Sequence, residues 1–176
     1  PSGAYSLLAC GDHHGCAVRT SDGAVVCWGR NADGEATPPA NLGDSAPQLL
    51  AAGGRTSCVL VQNVPRCWGA DEHGQVSTPT QVDTYKSLAV GADFACATSS
   101  SGAIRCWGSN AQGQSAPPTA RLYTSVAAGV MHACGAAMPD GRVECWGADH
   151  SGQSTLPREG LFVRACSHPP RVPPPP

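Results

Sequence analysis

The sequence is short of aromatic residues: its 176 positions hold four Trp, three Tyr and two Phe. A chain of this length can bury a core of its own, but so few rings leave burial little to work with, and a further source of stabilisation is expected. Charge is scarce as well. Asp, Glu, Lys and Arg make up 14% of the chain, the net charge is −2, and the arginines stand singly. Without a basic cluster, the electrostatic driving force for nucleic-acid binding is missing. No run of about 18 apolar residues is present, so no membrane-spanning helix is expected in this segment. Also absent are an Asn-x-Ser/Thr sequon, a Gly-rich phosphate loop, an HExxH motif and a Ser/His/Asp arrangement. Ordinary N-glycosylation is thereby excluded, and no enzyme activity and no cofactor are expected. The chain begins with Pro instead of Met, which reads as a processed or excerpted sequence.

What is abundant is Cys, at ten residues, beside 21 Gly and 16 Pro. An even count this high reads as a set of disulfides, and so as an oxidising compartment: secreted, periplasmic or at the cell surface.

The tripeptide CWG occurs four times, with Trp28, Trp68, Trp107 and Trp146 spaced by 40, 39 and 39 residues. A period of this size is the mark of a repeat architecture. After each CWG an Asx slot (Asn31, Asp71, Asn110, Asp149) is followed by a glycine slot (Gly34, Gly74, Gly113, Gly152). Both residue types accept turn geometry, so a repeated turn leaves a repeated strand. Prolines follow in every copy, from Pro38 and Pro39 to Pro157, and mark an extended connection.

Upstream of each CWG stands a second cysteine: Cys16, Cys58, Cys96 and Cys134. The segments between the paired cysteines are short strand-like runs around turn residues. In hairpins turning there the cysteines face one another, and opposed residues of an antiparallel pair lie roughly 4.5–5.5 Å apart, within disulfide reach. The expected bridges are Cys16 with Cys27, Cys58 with Cys67, Cys96 with Cys106 and Cys134 with Cys145. A third strand precedes each hairpin (SLLAC, QLLAAG, SLAVG, SVAAG), and no segment has a helical period. The expected fold class is all-β: a propeller-like array of four repeats, each of about three short antiparallel strands.

The pattern GxxHxC…GxVxCWGxNxxGQ resembles the repeats of the regulator of chromosome condensation family, in a short form near 40 residues, over nearly the whole chain up to about Gln153. The resemblance implies a β-propeller with one blade per repeat. It does not settle function: one nuclear branch exchanges nucleotide on a small GTPase and binds chromatin, and one secreted bacterial branch inhibits β-lactamases. Two departures stand out. Well-known members usually have seven blades, whereas four repeats are present here, and a cysteine pair in every hairpin points away from the reducing nuclear compartment.

The stretch ACGDHHGC, Ala9 to Cys16, has the residue types of a zinc site. Yet His14 shares its slot with Thr56, Phe94 and His132, and His13 with Arg55, Asp93 and Met131, so no ligand set repeats and no metal is expected. In the family motif that histidine suggests packing and a hydrogen bond to a neighbouring blade. Cys10 falls where Ala52, Val90 and Ala128 stand, and Cys166 lies one further period on. A Cys10–Cys166 bond sealing a four-repeat ring is the favoured expectation. Head-to-tail joining of molecules through the same ends is the alternative.

The propeller-like domain is expected over 1–168, with repeats at about 5–45, 46–85, 86–123 and 124–160 and a closing strand at 161–166. Residues 169–176 form a polyproline tail or linker, in which Pro170, Pro173, Pro174, Pro175 and Pro176 are candidates for O-glycosylation by resemblance to proline-rich extracellular glycoproteins. Asp22, Asp71, Asp140 and Asp149 read as turn formers, and the four tryptophans as packing between blades. The expected function is a non-enzymatic extracellular structural or adhesive module with protein partners or self-association, part of a glycosylated surface assembly or filament. The alternative is a secreted inhibitor-like or lectin-like binding domain, while a nuclear exchange factor would require free thiols.

Overall fold

The computed structural model describes residues 3–43, 45–79 and 83–156. Among these residues twelve strands form four sheets of three. Sheet 1 holds β1 (Tyr5–Cys10), β2 (His14–Arg19) and β3 (Val25–Gly29); sheet 2 holds β4 (Leu49–Gly53), β5 (Thr56–Val61) and β6 (Val64–Gly69). Sheet 3 holds β7 (Tyr85–Val90), β8 (Phe94–Ser99) and β9 (Ile104–Gly108), and sheet 4 holds β10 (Tyr123–Ala128), β11 (His132–Ala137) and β12 (Val143–Gly147). Each is an antiparallel meander in chain order. This is the all-β, propeller-like array that the repeat implies.

Local chemistry sets each meander. In sheet 2 the hairpin turns on Gln62 and Asn63, both at positive φ, the two-residue turn whose twist suits antiparallel strands. In sheets 1 and 4 a carboxylate organises the wider turn: Asp22 accepts from the Ala24 N–H at 3.1 Å, and Asp140 from the Arg142 N–H at 3.2 Å. The register places Cys16 opposite Cys27, Cys58 opposite Cys67, Cys96 opposite Cys106 and Cys134 opposite Cys145. All four pairs are disulfide-bonded, with Cα atoms 4.0–4.1 Å apart.

The sheets stack face to face in sequence order, so the hydrophobic interior is divided among the joints between sheets. Along β5, Val59 and Val61 pack with Trp68 against Cys16 of sheet 1, while Cys58 and Leu60 on the opposite face pack against Tyr85, Val90 and Trp107 of sheet 3. Every residue of β5 and of β8 is consequently buried. A third cluster joins Phe94 and Cys96 of sheet 3 to Val126, Ala133 and Trp146 of sheet 4. Each sheet thus has a leading face, carrying its tryptophan toward the preceding sheet, and a trailing face, carrying its disulfide toward the next. In β11 only alternate residues (Ala133, Gly135, Ala137) are buried, because among the described residues no sheet covers the trailing side.

The expected closing strand at 161–166 and the polyproline tail lie outside the described residues. Cys10, at the end of β1, is exposed and has no disulfide partner among the described residues; the Cys166 proposed for it lies outside them.

Candidate functional site

The features that set this chain apart are the joints between sheets and the loops that build them. The loop after each CWG is held the same way four times. The Asx slot accepts a main-chain N–H five residues on: Ala36 to Asn31 at 2.9 Å, Val76 to Asp71 at 3.0 Å, Ser115 to Asn110 at 3.0 Å and Ser154 to Asp149 at 2.8 Å. The Glx slot reaches back to the N–H two residues before it, with Asp33 donating to Glu35, His73 to Gln75, Gln112 to Gln114 and Ser151 to Gln153, each at 2.8 Å. The glycine between adopts φ of 76° to 81°, conformational space that other residues seldom occupy.

That loop presents the Glx main-chain carbonyl to the next sheet, where a tryptophan donates to it. Trp68 Nε1 binds the Glu35 carbonyl at 3.0 Å, Trp107 the Gln75 carbonyl at 2.9 Å and Trp146 the Gln114 carbonyl at 2.9 Å. A buried indole N–H needs such an acceptor, and its ring covers the disulfide of the sheet before. These three tryptophans are 6–8% exposed, but Trp28, in the same slot of sheet 1, is 45% exposed. The expectation of packing between blades therefore holds for three tryptophans and not for Trp28, which has no sheet before it among the described residues and lies over Gly15 of its own.

The histidine motif is resolved in the same geometry. His14 is buried, and its Nε2 lies 2.7 Å from Ser57 Oγ in sheet 2, the hydrogen bond to a neighbouring blade. Burial pushes the His14 imidazole below its usual pKa, against the weaker upward pull of Glu35 and Asp12. The glycine three residues earlier is required by close approach. At Gly91 a Cβ would lie 2.0 Å from the Phe94 ring in the same slot. Among the described residues no three His, Cys, Asp or Glu side chains converge as a metal site would need.

Most carboxylates are engaged in ion pairs. Arg55 bridges sheets 1 and 2, reaching Asp33 at 3.2 Å and Glu72 at 2.7 Å, and Arg30 holds the buried Glu35 at 3.1 Å. Arg19 holds the Asp22 carboxyl down at about 2, helped by the Ala24 N–H. Tyr123, pushed up to about 12 by burial, donates to Glu144 at 2.6 Å. These groups tie turns and joints together; Asp22, Asp71, Asp140 and Asp149 all act as turn acceptors. Residues that the repeat pattern did not single out include Leu8, 67% exposed, and Val130, 65% exposed. Only their position at the two ends of the stack reveals them.

A stack of three-stranded sheets with sequential face-to-face joints defines a propeller-type repeat protein. The family model described as the regulator of chromosome condensation (RCC1) repeat matches residues 6–35 and 85–114. Among solved structures, the chain is similar to the CRINKLY WD40 ectodomain of the Arabidopsis thaliana receptor kinase ACR4: 27% identity over 84% of this chain and 55% of that one, TM-score 0.69. The ectodomain of the Physcomitrella patens receptor kinase CR4 is similar at 29% identity, over 87% and 43% of the two chains, TM-score 0.70. Prp20p of Saccharomyces cerevisiae, described with its binding to Gsp1p and histones, shares the fold at 18% identity, 86% and 46% coverage and TM-score 0.68. Two of the four repeats thus match the regulator of chromosome condensation repeat, and the chain spans about half the length of the solved structures it resembles. A disulfide in each sheet and two receptor ectodomains among its neighbours fit an extracellular binding module.

Proposed function

We propose that this chain is a non-enzymatic extracellular module that works by binding protein, in a structural or adhesive role. The observation that carries the reading is the disulfide in each of the four hairpins, three of them sealed under the next sheet's tryptophan. Such bonds persist outside the cell and are reduced in the cytosol and nucleus. The likeness to receptor ectodomains supports the same location, while a lectin-like reading is weakened because three of the four tryptophans are buried and unable to stack on sugar. The polyproline tail would serve as a stiff connector, and Pro170 and Pro173–Pro176 would carry O-glycans if it is a stalk.

The test is a thiol count on denatured, unreduced protein, with intact mass before and after deglycosylation. The expected result is at most two free thiols among the ten cysteines, Cys10 and Cys166 being outside the hairpin set. Eight or more free thiols would remove both the location and the module.

A further inference from the structure

The two ends of the stack carry the two halves of one more joint. On the leading face of sheet 1, Leu8 and Trp28 are exposed. Their counterparts further along are used: Leu50 and Trp68 pack on sheet 1, Leu88 and Trp107 on sheet 2, and Val126 and Trp146 on sheet 3. On the trailing face of sheet 4, the Cys134–Cys145 bridge has no tryptophan over it. Cys134 is half-buried, whereas Cys16, Cys58 and Cys96 are fully buried at 0% exposure. Among the described residues no donor reaches the Gln153 main-chain carbonyl, the equivalent of the acceptors used by Trp68, Trp107 and Trp146.

The main chain repeats the complementarity. Asp12 N–H donates to the Gly54 carbonyl at 3.0 Å across the first joint, and Ala92 N–H to the Val130 carbonyl at 3.1 Å across the third. A fourth joint of this kind would run from the Val130 N–H to the Asp12 carbonyl. Among the described residues this pairing is not made: sheets 1 and 2, 2 and 3, and 3 and 4 pack on one another, with no comparable packing of sheet 1 on sheet 4.

We propose that two copies of this chain associate head to tail. The leading face of sheet 1 in one copy seats on the trailing face of sheet 4 in the other, Trp28 covers the Cys134–Cys145 bridge, and its Nε1–H donates to the Gln153 carbonyl. The occupant is a second copy because the interface continues one the chain already makes three times, and each copy brings both halves of it. The contact is heterologous, so it closes into a ring when the rotation allows and extends into a filament when it does not. The joint lacks the histidine–serine hydrogen bond, since His132 would face Gly15, as the second and third joints also lack it with Thr56 before Ala95 and Phe94 before Ala133. This names a partner for the module proposed above and rests on that reading in taking the hairpins as oxidised.

The test uses the 176-residue chain, with its thiols counted in the same sample, in sedimentation velocity across a concentration series. Concentration-dependent assembly is expected. Trp28→Glu should weaken it roughly thirtyfold or more, as loss of a central tryptophan does at other interfaces. So should Ala127→Glu, which places a charge on the exposed trailing side of β10 opposite Cys134. Mixing the two variants leaves one intact joint between unlike copies, so a heterodimer should form that neither variant gives alone. A monomeric wild type, assembly indifferent to Trp28→Glu, or a mixture that stays monomeric overturns the proposal. Should the thiols also be free, the extracellular reading fails; with eight thiols bridged, only the self-association does.

Discussion

Sheets 2 and 3 and sheets 1 and 4 are made from the same repeat, yet they are different physical objects. Each middle sheet is covered on both faces, so β5 and β8 are buried at every position, as expected of strands packed between two layers. Among the described residues the outer sheets each pack on one neighbouring sheet: β11 is buried at alternate positions only, while β2 is buried at five of six with Trp28 folded over Gly15. Trp28 itself is 45% exposed where Trp107, in the same slot, is 8% exposed. Turn chemistry differs along the same line. Sheet 1 turns on Asp22 and sheet 4 on Asp140, whereas sheet 2 turns on Gln62 and Asn63 and sheet 3 around Ser99 and Gly102. The contrast fits a repeat array, in which stability is the sum of each repeat's own contribution and of the joints it makes with its neighbours.

The largest effect should come from removing one tryptophan of each kind. Trp107→Ala opens a cavity over the Cys58–Cys67 bridge and strands the Gln75 carbonyl, at a cost of about 3–5 kcal/mol. Trp28→Ala, studied at a concentration where the chain is monomeric, should cost under about 1 kcal/mol. Denaturant unfolding followed by circular dichroism measures both, and equal losses would break the distinction between inner and outer sheets.

The disulfides sharpen it next. The bonds close loops of similar length, with sequence separations of 9 to 11, so each should stabilise by about 2–3 kcal/mol. Access is what separates them. In graded reduction followed by alkylation and peptide mass spectrometry, Cys134–Cys145 should open first, and Cys58–Cys67 and Cys96–Cys106, each covered by the next sheet's tryptophan, later. If the covered bridges are reduced first, the stacking order is wrong.

The smallest effect is acid sensitivity confined to the outer sheets. Asp22 is held at about 2, chiefly by Arg19, and Asp140 is lowered first by the Arg142 N–H and then by Arg121. A carboxyl depressed in the folded state contributes stability above its unfolded pKa, which is lost as the pH falls through the folded value. Thermal stability should therefore decline from the usual carboxylate range down through about pH 2, and Asp22→Asn should flatten the decline. Because these groups are exposed, the change is small. Hydrogen exchange should place it in sheets 1 and 4.

Much of this structure was legible in the sequence, because much of it is local. The CWG period, the Asx and glycine slots and the cysteine pairs each specify geometry within about a dozen residues, and the observed hairpins, turn acceptors and bridges follow them. His14 was readable as a joint residue only through its family motif; its partner Ser57 stands 43 residues away. Trp28 was misread for the opposite reason. Its local pattern is the same as that of Trp68, Trp107 and Trp146, and pattern alone carries no information about whether a sheet lies in front of it.

The amino-acid sequence by itself determined the repeat, the three-stranded meander, the pairing of cysteines across each hairpin and the turn that follows every tryptophan, since short-range sterics and hydrogen bonding suffice for these. Which faces are sealed, which carbonyl the indoles of Trp68, Trp107 and Trp146 find, and the exposure of Trp28 and of the Cys134 side among the described residues were settled only at the tertiary level. Those outcomes depend on contacts between residues about 30 to 40 positions apart, where burial against a neighbour determines how an otherwise identical residue behaves.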